Sequence, residues 1–554
     1  MKQNILLLLM CTAVLFSSCE KKWDEHTEVK DANFTTQLLD QINKNPDLSK
    51  FAEYLKQTHY DDTLRSSKSY TVWAPTNQAL AAVNPDLIDS DAKLLRFVEN
   101  HIANQTFLTT AVGSQPLRIK TLNDKTVAFT ATSVDGSPII SKDLYLADGV
   151  LHVISAAITP KQSAWEYLMS TNTIQKQVLS SLTTMVFDPQ RAEVLNIDPL
   201  TGKPNYKPGT GFYSVNKFLD RDDFSAQSGR EADISHEDST FTYIVLTDAA
   251  FTAERSKLSK YFKVTGTDQV SIDTTNNLTD FNIIKDLAFK GILDKENFPA
   301  NVLSVGDSVR FHLDKNAVVE THQVSNGVVY VMSSINYDLG NGTFDMYTKL
   351  KPIIIQGESI NNSINSDASL SNVKLTNGTF ETRLRKDPDG HLYSYVYRVN
   401  HGNAVNWSRY RPAQVNSVKY KVFWRVVRDY ALEPAAKAIP AVPGSTLVYS
   451  PLRFAIGIPA NVTPGFNYVT EPGAVRVMNP VTNTQKIDPV TGKYVYAPDY
   501  EERYLGEFTA ARYYSNKLKD GIKSTLAVYQ VGANSTPNGT NDIILDYIKL
   551  VPVP

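Results

Sequence analysis

Cysteine is nearly absent from this chain: 554 residues contain two, Cys11 and Cys19. Both lie close to the start, so the body of the chain can build neither a disulfide scaffold nor a thiolate zinc site. Net charge is lacking too. Lys and Arg number 56 against 58 Asp and Glu, a balance of −2. That leaves no electrostatic footprint for a nucleic acid. Catalytic signatures are missing as well. There is no Gly-x-Ser-x-Gly elbow, no His-Glu-x-x-His helix, and no P-loop or dinucleotide fingerprint behind a strand. The nine histidines are scattered. Glycosidase carboxylates come from distant positions, and no pair stands out among the acids. The expectation is a protein that is not an enzyme and has no cofactor and no metal site.

What is present points to folded, β-rich, exported domains. Tyrosine is abundant at 28 residues, and charged residues make up 21 % of the chain, which does not fit disorder. Residues 1–18 read as a signal peptide: Lys2 supplies the positive region, and Ile5 to Phe16 is apolar but short of the roughly 20 residues a spanning helix needs. Phe16-Ser-Ser-Cys19 resembles a bacterial lipobox, with Phe16 where Leu is usual. That resemblance implies cleavage before Cys19 and lipidation of its thiol, with residues 19–33 as a tether. Glu20-Lys-Lys-Trp-Asp-Glu25 is similar to the surface-export signal of Bacteroidota lipoproteins, which implies lipid anchoring in the outer membrane, at the cell surface.

The organising feature is a repeat. Tyr70-Thr-Val-Trp-Ala-Pro-Thr-Asn-Gln-Ala-Leu80 aligns without a gap on Phe241-Thr-Tyr-Ile-Val-Leu-Thr-Asp-Ala-Ala-Phe251. Each reads as an uncharged β-run followed by a helix that Thr76, Asn77 or their counterparts can cap. A second pair follows in the same order. Ala147-Asp-Gly-Val-Leu-His-Val-Ile-Ser155 matches Ser325-Asn-Gly-Val-Val-Tyr-Val-Met-Ser333, each an Asx-Gly turn opening an apolar strand. Thr76 to Gly149 spans 73 positions and Thr247 to Gly327 spans 80, so a duplicated domain is expected.

These motifs resemble the fasciclin domain, an α+β fold associated with adhesion. The resemblance covers residues 34–162 well and residues 163–338 in diverged form, with Leu246 where the motif has Pro75. It places His101 at a helix-end position linked to adhesion in relatives, with Asn100 in place of the usual Tyr and with Lys290 near the matching point of the second copy. A core histidine bonded to a backbone carbonyl is the plainer reading of His101.

Residues 188–230, rich in Pro, Gly, Asp and Asn, read as an insertion or long β-excursion, the sort of element that carries binding or merely decorates a surface. From residue 350 to 554 helical stripes vanish and short β-rich runs alternate with turns, the pattern of an all-β sandwich. Asp387-Pro-Asp-Gly390 is such a turn rather than a calcium site. The ending, Asp542 to Pro552, looks like the last strand of a galactose-binding-like jelly roll, a family with many carbohydrate-binding modules. Tyr393, Tyr395 and Tyr397 alternate along one strand, and Trp407, Tyr410 and Trp424 lie nearby in sequence. Aromatic faces can stack on sugar rings, or they can fill a core.

The fold expected is therefore α+β and multidomain: two fasciclin-like domains followed by an all-β jelly-roll sandwich. The function expected is a non-catalytic envelope lipoprotein that binds polysaccharide or docks beside a SusC/SusD-type uptake system. The alternative is an adhesion or structural protein whose fasciclin-like domains contact another protein.

Overall fold

The computed structural model describes residues 35–65, 68–220, 233–360, 373–374, 379–386, 390–399, 406–410, 412–426, 453–457, 467–468, 487, 489–490, 501–515, 527–532 and 545–554. Cys19, the signal segment and the tether lie outside the described residues. Two compact units are present. The first holds Met1–Thr171, Asp233–Tyr243 and Thr321–Tyr330; the second holds Asn172–Ala232, Ile244–Glu320 and Val331–Pro554.

The first repeat is built on a seven-stranded sheet: β1 (Tyr70–Pro75), β2 (Ile102–Asn104), β3 (Leu117–Lys120), β4 (Thr126–Phe129), β5 (Ser133–Val134), β6 (Ser137–Leu146) and β7 (Gly149–Ile154). The order is β2-β1-β7-β6-β5-β4-β3. Only the central pair, β1 with β7, is parallel among the pairings around β1 and β7. Every residue of β1 is buried, and alternate side chains serve two different cores. Tyr70, Val72 and Ala74 pack with Leu38, Ile42, Phe51, Leu55, Phe97 and Val98, which come from the helices Leu38–Lys44, Ser49–Gln57 and Asp91–Glu99. Trp73 joins Phe129, Val134, Ile154 and Ile158 on the other face. This explains the uncharged run in the sequence: a strand covered on both sides has no face on which to carry a charge.

The second repeat follows the same plan over a longer stretch of chain but with a smaller sheet. After the helices Ala164–Ser170 and Ile174–Ser181 come four strands that form two ribbons, β8 (Thr183–Phe187), β9 (Val194–Ile197), β10 (Pro204–Tyr206) and β11 (Phe212–Asn216). Then β12 (Phe241–Leu246), β13 (Ala288–Lys290), the small pair β14 (Val302–Leu303) with β15 (Arg310–Phe311), β16 (Val318–Val324) and β17 (Gly327–Met332) complete it. Four of these make a sheet in the order β13-β12-β17-β16.

The duplication in the sequence is matched bond for bond in the backbone. Tyr70 N–H donates to Asp148 O, and Phe241 N–H to Asn326 O. Thr76 N–H donates to Ile154 O, and Thr247 N–H to Met332 O. Each threonine then caps its helix: Thr76 Oγ1 accepts from Ala79 N, and Thr247 Oγ1 from Ala250 N. Gly149 and Gly327 take φ values of +155° and +147°, and a Cβ on either would collide with the carbonyl oxygen of Tyr70 or Phe241. The Asx-Gly turns are therefore demanded by the close approach of the partner strand.

The same register corrects the expected partner of His101. Trp73 N–H donates to His101 O, and its counterpart Ile244 N–H donates to Leu287 O. The residue equivalent to His101 is Leu287, not Lys290, and the residue equivalent to Asn100 is Asp286.

The described strands of the C-terminal region pair antiparallel. One sheet has the order β18-β30-β24-β27, built from Ile353–Gln356, Leu545–Val553, Lys419–Val426 and Glu502–Thr509. Another has the order β19-β22-β29-β25-β26, built from Val373–Lys374, Asn406–Tyr410, Ala527–Gly532, Arg453–Gly457 and Asn467–Tyr468. The ribbons β20 (Thr379–Lys386) with β21 (Leu392–Val399), and β23 (Gln414–Val415) with β28 (Tyr514–Ser515), complete the described strands.

Candidate functional site

His101 sits at the end of the Asp91–Glu99 helix and is fully buried. Its Nδ1–H donates to Phe97 O at 2.7 Å, and its Nε2 accepts from Ile158 N at 2.9 Å. The ring lies 4.6 Å from Phe97 and 5.7 Å from Phe51, centroid to centroid. A ring that donates at one nitrogen and accepts at the other is neutral, and burial pushes its pKa down to about 4. Asn100 beside it is also interior, donating to Ile158 O and accepting from Asn123. Of the two readings of His101, these contacts are those of the core histidine rather than of a surface adhesion residue: it is 0 % exposed, and it ties a helix end to the loop after β7.

A second buried histidine was not singled out in the sequence. His152 on β7 stacks with Trp73 at 6.4 Å and 15°. Its Nδ1 accepts from Asp143 N and its Nε2–H donates to Phe107 O. Burial lowers its pKa as well. Both histidines therefore act as neutral hydrogen-bonding spacers. Among the described residues no group of three or more His, Cys, Asp or Glu could hold a metal ion, and no helix is long and apolar enough to cross a membrane.

The six aromatic residues expected to bind sugar fall on strands of three different sheets. Trp424 belongs to the four-stranded sheet, Trp407 and Tyr410 to the five-stranded one, and Tyr393, Tyr395 and Tyr397 to the β20–β21 ribbon. Trp424 is 0 % exposed and Tyr410 1 %, and the Tyr410 hydroxyl donates to Gly357 O at 3.0 Å. Neither can offer a face to a sugar, so for these two the core reading replaces the binding reading. Tyr393 is half-buried with the Arg425 guanidinium 4.8 Å from its ring. The side chains of Trp407, Tyr395 and Tyr397 lie outside the described residues.

The apolar surface that the structure does expose is on the excursion of the second repeat. β8 pairs with β11 from Phe187↔Phe212 to Thr183↔Asn216, and β9 pairs with β10. The two ribbons join end to end: Asp188 N–H donates to Gly211 O and Lys207 N–H to Glu193 O. Phe187 stands 5.3 Å from Phe212 and 5.2 Å from Tyr206 and fills the joint. Asp198 organises the tip, its Oδ1 accepting from Leu200 N. Along this arm Leu195 is 63 % exposed, Ile197 64 % and Leu200 94 %, and Met185, Val194 and Phe212 are exposed as well. Strands β8 and β9, Thr-Thr-Met-Val-Phe and Val-Leu-Asn-Ile, carry neither a charge nor a proline, the devices that usually protect an open edge. So many large apolar side chains exposed within one short arm exceed ordinary scatter.

Comparison with known proteins agrees on the first repeat. Residues 46–160 match the family model described as Fasciclin domain. This stretch is fasciclin-like, and domains of that kind are associated with adhesion rather than catalysis. Among curated proteins, the transforming growth factor-beta-induced protein ig-h3 of Oryctolagus cuniculus is 26 % identical over 107 residues, 18 % of this chain and 16 % of that one. The chain thus spans about a sixth of that relative's length. Among solved structures, a FAS1 domain pair from the insect cell adhesion molecule fasciclin I is matched at 13 % identity. The match covers 53 % of this chain and 97 % of that one at a TM-score of 0.21, too low a score to carry an inference.

Proposed function

We propose that this chain is a non-catalytic adhesion and docking protein of the cell envelope, held at the outer membrane by lipid on Cys19. The protein partner is contacted through the β8–β11 arm. The observation that supports this reading is the row of exposed apolar side chains on the arm, Met185, Leu195, Ile197, Leu200 and Phe212. An isolated two-stranded ribbon is marginal in water, so an arm of this composition gains most when a partner covers it. The fasciclin-domain match agrees in kind, since that family is associated with adhesion. Docking beside a SusC/SusD-type importer is the most specific form of this reading.

A photo-crosslinking residue at Leu200 in intact cells tests it. A discrete adduct with one envelope protein is expected, lost when Leu195→Lys and Ile197→Lys are combined. An absent adduct, or one indifferent to those two charges, overturns the docking reading. The anchor is tested separately: Cys19→Ala should release the protein from membranes, and retention of that variant removes the lipid from the account.

A further inference from the structure

The second unit contains a cavity of about 960 Å³ between residues of the second repeat and residues of the C-terminal strands. Its wall includes Lys285, Lys349 and Lys351, the carboxylates Asp307 and Asp345, the rings of Phe344 and Tyr347, and the amides of Gln414 and Asn416. The charges are unevenly matched. Lys285 pairs with Asp307, and Lys349 Nζ bonds Asp286 at 2.6 Å. Asp345 is held by Arg310 at 2.9 Å. Lys351 Nζ has one partner among the described residues, the carbonyl oxygen of Met346 at 2.6 Å, and no carboxylate. Burial lowers its pKa, with the attraction of Asp286 and Asp345 opposing it from beyond contact distance.

The remaining lining is polar and aromatic rather than charged. Gln414 Oε1 accepts from the Tyr513 hydroxyl, which leaves its amide N–H₂ without a partner among the described residues. Asn416 donates through Nδ2 to Tyr261 O and keeps its Oδ1 as an acceptor. Phe344 and Tyr347 are nearly half exposed. Arg310 lies over the Tyr347 ring and Lys549 over that of Phe344, which fixes both rings in place.

We propose that this cavity binds a saccharide bearing a carboxylate, with Lys351 meeting the carboxylate, Phe344 and Tyr347 stacking on the ring C–H faces, and Gln414 and Asn416 bonding hydroxyls. Three features select this class. The volume is that of a multi-ring ligand rather than a single inorganic anion. One cation that touches no carboxylate among the described residues suits a monoanion, whereas a phosphate dianion calls for more than one. Half-exposed aromatic rings beside amide groups suit a ligand that is apolar on its faces and polar on its rim. This site is separate from the arm, so either can fail without the other.

Isothermal titration of the full chain with trigalacturonate, maltotriose and inorganic phosphate tests the assignment. Trigalacturonate should bind. Lys351→Gln should weaken it about tenfold, the loss of one charge-assisted contact, while Lys351→Arg retains binding. Tyr347→Ala should also weaken it, with the melting temperature of each variant unchanged. No binding of trigalacturonate, equal binding by Lys351→Gln, or a preference for maltotriose or phosphate would each overturn the proposal.

Discussion

Asp286 and Lys349 meet at 2.6 Å with side chains 0 % and 2 % exposed, so a full ion pair is buried beneath the cavity wall. Lys285 adds a second cation at 3.5 Å, and Ser304 donates to the same carboxylate. Removing one member of such a pair strands the other charge, which costs about 3–5 kcal/mol. Asp286→Ala should lower the calorimetric transition of the second unit accordingly, and Asp286→Leu combined with Lys349→Met should recover most of the loss. A single variant as stable as the wild type would show that the pair is not closed in solution.

The His101 ring sets a pH dependence for the first unit. Its pKa is about 4 in the folded chain against about 6.5 when unfolded. Above the unfolded value both states are neutral and the group contributes nothing. As pH falls from about 6.5 toward 4, the unfolded chain takes up a proton that the folded chain refuses, so stability is lost through that window. The loss between pH 7 and 5 amounts to about 2 kcal/mol. Chemical denaturation at the two pH values should show it, and a His101→Gln variant should show a drop smaller by that amount. Equal drops in both proteins would place the proton elsewhere.

Gly149→Ala and Gly327→Ala should each destabilise their repeat by more than about 2 kcal/mol, because the backbone is in a region other residues avoid and the added carbon strikes a neighbouring carbonyl. Gly113→Ala has open space and is the control. Urea denaturation of the three variants measures the contrast. Similar midpoints for Gly113→Ala and Gly149→Ala would refute the requirement.

The repeat was legible because its constraints are local. A doubly covered strand must be uncharged, a helix after it needs a capping hydroxyl, and a turn beside a close strand needs glycine. Tyr70 to Leu80 carries the first two in eleven letters, and Asp148-Gly149 carries the third. The counterpart of His101 was not legible, because it depends on the length of the Gln269–Ile284 helix, which shifts the register from Lys290 to Leu287. The arm was half legible. The turn residues around Asp198 announced a β-excursion, but exposure of Leu195 and Ile197 could not be read from apolar letters alone, since the same letters inside β12 mean a core. The cavity was not legible either, because Lys285, Lys349, Lys351 and Gln414 come together only when distant segments fold.

Trp424 is the residue on which the sugar-stacking reading of the C-terminal strands can be separated from a structural one. It lies between Arg503 on one neighbouring strand and Ile548 on the other, in register with both, and solvent does not reach it. A ring in that position acts by filling volume, so Trp424→Ala should cost about 3–5 kcal/mol. Trp424→Phe, which leaves a smaller void, should cost much less. Calorimetry should show the second-unit transition falling in that order. A stacking platform gives the opposite pattern: both variants would melt like the wild type, and only saccharide affinity would change. Titration with trigalacturonate below the lowered melting temperature completes the comparison. Because Trp424 is absent from the lining of the Lys351 cavity, folded Trp424→Phe should bind as the wild type does, while Lys351→Gln should not.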